Sequence, residues 1–300
     1  MTEPPPDGSW DCHAHVIGDL SRYPLAPGRS YEPPQAPLEA YLRFLDRFGL
    51  ARGVLIQPSV YGFDNRCMLD ALDRASGRLM GVAVPDPATP TGELERMHLR
   101  GVRGVRCNLL NPGGLGPDRI GSWQPVMREL GWHVAFHIDV EQVGDLRGFV
   151  GQFTVPVVFD HMGRPTPDQV GGDTKRTDGP GIQTEKALPS PGLPHDARSL
   201  RPGLRQLVEL VREGACFVKL SAPYRLSRES PPWDDVARLA RTFLEANPAR
   251  CLWASDWPHV DTEGPVRTKD LLEALTAWSS NPQVLRIMMR DAPEALLRSV

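Results

Sequence analysis

Basic charge is not in excess in this chain. Its 34 lysines and arginines stand against 37 aspartates and glutamates, a net charge of −3. That balance argues against a nucleic-acid partner or a basic membrane patch. No apolar run approaches the roughly 18 residues of a membrane span. Neither Gly-x-Gly-x-x-Gly nor a phosphate-loop Gly-x-x-x-x-Gly-Lys pattern occurs, so nothing supports a nucleotide-binding version of an α/β fold. Cysteine is sparse: Cys12, Cys67, Cys107, Cys216 and Cys251 are odd in number, scattered and without a Cys-x-x-Cys pair. They read as buried free thiols in a reducing compartment, which predicts a cytoplasmic protein. Cys12 and Cys107 read as small core residues, because no neighbour suggests an activated thiolate. The first residues, Met-Thr-Glu-Pro-Pro-Pro-Asp, offer no basic and then apolar leader, so no signal peptide is expected.

What is present is an alternation. Short β-branched or apolar runs recur at Ser9–Val16, Gly53–Gln57, Leu79–Val84, Gly104–Asn108, His133–Ile138, Val155–Asp160, Cys216–Leu220 and Cys251–Ser255. Near-continuous hydrophobicity is what parallel strands covered on both faces require. Between them lie amphipathic segments. Leu38, Leu42, Leu45 and Phe48 have helical spacing, as do Leu207, Leu210 and Val211, and Val236, Leu239, Ala240, Phe243 and Leu244. Asn281–Val300 reads as a last helix opened by Asn-Pro. Eight strand–helix units in 300 residues predict one (β/α)₈ barrel domain spanning 1–300, with an open doubly wound sheet as the alternative. Two stretches break the rhythm: the Pro-rich Tyr23–Pro37 after strand one, and Thr166–Leu200 after strand six, a long Pro/Gly-rich insertion that serves as a lid or a passive loop.

In a barrel, chemistry sits at the C-terminal strand ends. There the sequence places Asp11-Cys12-His13-Ala14-His15, Arg106-Cys107-Asn108, His133 and His137, Asp160-His161, Lys219 through Arg225, and Ser255-Asp256-Trp257-Pro258-His259. Alternate residues of a strand share a face, so His13 and His15 project together into the mouth. Two neutral imidazoles, a carboxylate and a further histidine make a site for one divalent cation that leaves room for water. Without a metal, the same cluster seats a water for Asp256 to deprotonate. The plainer readings are a carbonyl-bonded core histidine for His161, a turn cap for Asp256, and barrel filling for His137 or His133. Arg106 lies inside an apolar strand and needs an anionic partner if buried, which suits a substrate carboxylate. Arg225 and Arg164 are further candidates, and Ser59 and Tyr61 are candidate substrate donors.

Asp-Cys-His-Ala-His on strand one, Phe-Asp-His-Met-Gly-Arg-Pro on strand six and Ala-Ser-Asp-Trp-Pro-His on strand eight resemble the amidohydrolase superfamily. Gln57 through Asn65, Gly104 through Asn108 and Lys219 through Arg225 match its lactonase branch, typified by 2-pyrone-4,6-dicarboxylate lactonase, in order and spacing. The resemblance covers nearly the whole chain outside Thr166–Leu200. It implies a somewhat distorted barrel and hydrolysis of a cyclic ester of a small carboxylated molecule, in the breakdown of aromatic compounds. Asp256 would be general base, and His13, His15 and His161 would line the water and carbonyl site. Arg106, Arg225, Ser59, Tyr61 and His259 would bind substrate. The pyrone lactonase works without a tightly bound metal, whereas related sulfolactone hydrolases and decarboxylases use zinc. Two departures stand out: no second arginine closely follows Arg106, and strand five carries His137 where that enzyme has tyrosine. A histidine there favours one zinc or manganese ion on His13, His15, His137 and Asp256. The alternative activity is metal-dependent, non-oxidative decarboxylation of an aromatic or muconate-type acid. The expected assembly is a monomer or homodimer.

Overall fold

A computed structural model describes residues 4–111, 114–170, 197, 199–262 and 264–297. The body of the Thr166–Leu200 insertion lies outside the described residues, and so does any role for it as a lid.

Eight parallel strands run in sequential order: β1 Trp10–Ala14, β2 Arg52–Ile56, β3 Leu79–Ala83, β4 Val102–Asn108, β5 His133–His137, β6 Val157–Phe159, β7 Phe217–Leu220 and β8 Cys251–Trp253. Helices such as Leu38–Arg47, Arg66–Arg74, Pro202–Arg212 and Asp234–Ala246 lie between them and bury their apolar stripes against the outside of the sheet. This is the (β/α)₈ barrel predicted from the alternation, not an open doubly wound sheet. All five thiols are buried and unbridged. Among the described residues no helix is long and apolar enough to cross a membrane.

The seam between β8 and β1 is closed differently from the rest of the sheet. Beyond the end of β8, the Asp256 amide donates to the His13 carbonyl at 2.9 Å, and the His15 amide donates to the Trp257 carbonyl at 2.8 Å. The Asp11 carboxylate fills in for missing ladder rungs. It accepts from the Ser255 amide at 2.8 Å, the Ser255 hydroxyl at 2.5 Å and the Tyr41 hydroxyl at 3.0 Å. The backbone bonds that close the barrel are thus made by the residues that carry His13, His15 and Asp256.

The barrel interior is layered. Trp10, Cys12, Val54, Val82, Ala135, Val158, Phe217 and Leu252 form an apolar plug, closed from below by Leu296 and Leu297. Above it the same inward positions turn polar: Arg106 on β4, Asp160 after β6, Lys219 on β7 and Asp256 after β8 are all buried. On β1 the register shifts between Asp11 and Ala14. Cys12 belongs to the inner plug while Ala14 packs in the outer layer, so the shift re-aims His13 into the barrel.

The last helix is not continuous. Pro282–Arg286 passes through a π-turn at Ile287–Asp291 into Ala292–Leu297. Pro293 has no amide proton to offer the preceding turn, and the widened turn absorbs that loss.

Candidate active site

Asp256 is the centre of the site. Its Oδ1 lies 3.6 Å from His13 Nε2 and 3.9 Å from both His15 Nε2 and His161 Nε2. Its Oδ2 accepts from the Tyr224 hydroxyl at 2.6 Å and from Arg225 Nε at 3.1 Å. The His13 ring stands edge-on to His15 at 5.0 Å between centroids and 4.8 Å from His161. The strand geometry that predicted a shared face for His13 and His15 is therefore realised. Both strand ends hold non-glycine residues in left-handed conformations, with φ of 51° at His161 and 59° at Asp256. Such backbone is costly, and packing holds it where it aims the two side chains inward.

Each imidazole has a distinct support. His15 Nδ1 meets the Ile56 carbonyl at 2.7 Å, which fixes the proton on Nδ1 and leaves Nε2 bare. His161 Nδ1 is 2.8 Å from Ser221 Oγ, a hydroxyl that serves either tautomer. His13 Nδ1 faces Asp160 Oδ1 at 3.4 Å and Lys219 Nζ at 3.3 Å. Burial lowers His13 to about 3 and His15 to about 4, with Arg106 adding to the effect at His15. Burial also holds His161 well below its usual value. All three rings are neutral at physiological pH. Burial alone would raise the Asp256 carboxyl, but the Arg225 guanidinium against Oδ2 works the other way, and the carboxyl lies well below its usual value.

The other expected residues fall into separate places. Arg106 is buried, donates from Nη1 to the Gln57 carbonyl at 3.2 Å, and sets Nε 3.6 Å from Asp160 Oδ2. Its Nη2 lies 3.4 Å from His137 Nδ1. His137 stands beside the centre rather than in it, with its ring 5.2 Å from that of His161 and its Nε2 buried without a hydrogen-bond partner. Arg225 is already engaged. Besides Asp256, it donates to the Val260 carbonyl and to the Asp261 carbonyl at 3.1 Å. Arg164 donates to the Arg225 carbonyl at 3.3 Å and keeps a buried, unpartnered Nε. His259 packs against Tyr224, edge-on at 5.8 Å, in the wall of the site. The Tyr61 hydroxyl points elsewhere, accepting the Gly18 amide at 3.2 Å. His133 sits at the barrel floor, near Lys219 and Asp160.

Sequence reasoning gave no role to Tyr31, Tyr224, Asp160, Lys219 or Ser221. Tyr31, from the Pro-rich loop, bonds Ser59 and faces Arg106, Arg225 and Asp256; burial pushes its hydroxyl up to about 12. No periodicity marks a residue in such a loop. Asp160 and Lys219 were discoverable, because a charge at an inward position of an apolar strand demands a partner.

The donor set fits a divalent ion. His13, His161 and Asp256 each offer a ligand atom within 4.8 Å of the others, and His13 Nε2 is buried with no hydrogen-bond partner. The bare Nε2 of His15 faces the same carboxylate oxygen.

A family model described as amidohydrolase matches residues 10–299. The chain belongs to the amidohydrolase family. It is 32% identical to a 4-sulfomuconolactone hydrolase of Hydrogenophaga intermedia, over 98% of this chain and 90% of that one. It is also 32% identical to a 2-pyrone-4,6-dicarboxylate hydrolase of Comamonas testosteroni, over 85% and 78% of the two chains. A solved structure from Acinetobacter baumannii, of the 2-pyrone-4,6-dicarboxylic acid hydrolase type with citric acid bound, superposes with a TM-score of 0.77 at 24% identity. It covers 97% of this chain and 99% of that one. That likeness establishes the shared fold, while the two sequence relatives are both lactone hydrolases.

Proposed function

We propose that this amidohydrolase opens a lactone ring in a small carboxylated molecule. The observation that carries the reading is the division of labour at Asp256. One oxygen is clamped by Tyr224 and Arg225, and the other lies 3.6–3.9 Å from the Nε2 atoms of three neutral imidazoles, so one water beside them can contact the carboxylate and the rings together.

Asp256 Oδ1 takes a proton from water seated against the three Nε2 atoms, and the oxygen adds to the lactone carbonyl. His161, held by Ser221 with a proton on Nε2, donates to the tetrahedral oxyanion. The acyl carbon–oxygen bond then breaks, and the ring oxygen leaves with the proton that Asp256 collected. Arg106 uses two of its nitrogens for Gln57 and His137 and has further donors in its fork for a substrate carboxylate. A zinc or manganese ion held by His13, His161 and Asp256, with His15 beside them, would take the place of the His161 Nε2 proton, that ring then being protonated on Nδ1 toward Ser221, and would polarise the carbonyl and acidify the water. On this reading His161, rather than His137, completes the ligand set.

The test is turnover of 2-pyrone-4,6-dicarboxylate and 4-sulfomuconolactone by purified protein, followed by loss of ring absorbance, with metal content measured on the same sample. Ring opening without CO₂ release supports the proposal. CO₂ release from aromatic or muconate-type acids, with every lactone untouched, replaces it with decarboxylation.

A further inference from the structure

Beneath the catalytic centre three fully or almost fully buried groups form a triangle. Lys219 Nζ lies 2.9 Å from Asp160 Oδ1 and 3.3 Å from His13 Nδ1, and His13 Nδ1 lies 3.4 Å from Asp160 Oδ1. Their side chains are 2%, 0% and 0% exposed for Lys219, Asp160 and His13. The reaction described above uses neither Lys219 nor Asp160.

An ammonium can only donate and a carboxylate can only accept. The Lys219–Asp160 edge is therefore fixed, but the two edges at His13 compete. If Lys219 donates to Nδ1, the ring proton must sit on Nε2, pointing at Asp256. If Nδ1 carries the proton and donates to Asp160, Nε2 is bare. His15 has no such freedom, because its Nδ1 meets only a carbonyl. The His13 tautomer, which charged neighbours rather than a two-way hydroxyl bias, thus decides whether this ring presents a lone pair or a proton to whatever lies between it and Asp256.

We infer that Asp160 and Lys219 are opposed positioning residues that set the His13 tautomer, with Asp160 prevailing so that Nε2 is bare. The inference rests on the reading of the centre given under the proposed function. Two observations favour Asp160. The Lys219 contact to the carboxylate is its shorter one, 2.9 Å against 3.3 Å to Nδ1, so its stronger pairing is with the anion. Both Asp160 oxygens are buried without a hydrogen-bond partner, Oδ1 among them, so the anion has acceptor capacity left for an Nδ1 proton. A carboxylate behind an imidazole is also the arrangement that orients a ring toward a cation and strengthens its lone pair.

The decisive readout is the ¹⁵N spectrum of histidine-labelled protein, with the His13 signals identified by their loss in H13Q. The expected wild-type pattern is a protonated Nδ1 and an unprotonated Nε2. K219M removes the competing donor and keeps that pattern. D160A leaves Lys219 as the neighbour of Nδ1 and moves the proton to Nε2. Zinc affinity, measured by competition with a chromophoric chelator, falls about 10–100-fold in D160A and is unchanged or tighter in K219M. A proton on Nε2 in the wild type overturns the inference. So does migration to Nε2 in K219M, or zinc affinity equal in wild type and D160A. Should D160A not fold, the wild-type and K219M spectra decide. Failure to turn over any lactone leaves these spectra unchanged, so the two readings fail separately.

Discussion

The Tyr224 hydroxyl donates to Asp256 Oδ2 at 2.6 Å, on the side of the carboxylate away from the three imidazoles. This bond orients the base and favours its charged form, so it weakens Asp256 as a proton acceptor while aiming it. Tyr224→Phe should lower kcat about tenfold and move the acidic limb of the pH–rate profile to higher pH, since the carboxylate loses a stabilising donor. Asp256→Asn should lower kcat by about 10²–10⁴ or more with an unchanged circular dichroism spectrum. A Tyr224→Phe profile superimposable on the wild type would remove Tyr224 from the acid–base machinery.

Arg106 is buried and has Asp160 as its nearest anion, at 3.6 Å. That pairing is too long to saturate a guanidinium, which leaves part of the fork for a substrate carboxylate. Arg106→Lys keeps the charge that faces Asp160 but loses the planar fork. The expected result is a rise in KM of about 10–100-fold, the worth of a charge-assisted hydrogen bond, with kcat within a few-fold. An effect confined to kcat would mean that Arg106 acts through Asp160 and His13 instead.

The fold was legible because its signal is repeated: eight apolar runs each fall on or within a few residues of an observed strand. His13, His15, His161 and Asp256 were legible for the same reason, as polar residues at strand ends. What escaped has physical causes. The register shift on β1 turns on ladder geometry that no residue type announces. Arg225 reads as a substrate arginine by motif, yet three acceptors around it make it a clamp on Asp256 and its loop. His137 shares the inward face of β5, but its ring stands beside His161 rather than over the carboxylate. Strand assignment gives direction and depth, not the lateral position of a ring within the mouth.

The seam predicts that stability and activity are coupled at Ser255. Its hydroxyl and amide both bind Asp11, and its Oγ also accepts the Trp257 amide at 3.0 Å. Ser255→Ala leaves Asp11 short of a donor in a place where burial already pushes its carboxyl up to about 6. The expected cost is about 1–3 kcal/mol, read as a lower denaturant midpoint, together with a lower kcat as the turn carrying Asp256 loosens. Serine-like kcat in a destabilised Ala variant would separate the seam from the site.

Below the site, burial lowers His133 to about 3, reinforced by Lys219, so the folded protein holds this ring neutral. The unfolded chain binds a proton at His133 near the ordinary histidine value of about 6.5. Between those limits the unfolded state carries more protons, and stability rises with pH. The His133 contribution is therefore fully present above about pH 6.5 and is lost progressively as the pH falls toward 3. His13 and His15 act in the same direction, but they belong to the centre and respond to its occupant. His133 does not, which makes it the cleaner probe. Urea midpoints measured at pH 7 and pH 5 should differ less in His133→Gln than in the wild type, because glutamine has no proton to gain. An equal pH dependence in the two proteins would show that His133 titrates normally in the folded state, and would place the acid sensitivity with the histidines around Asp256.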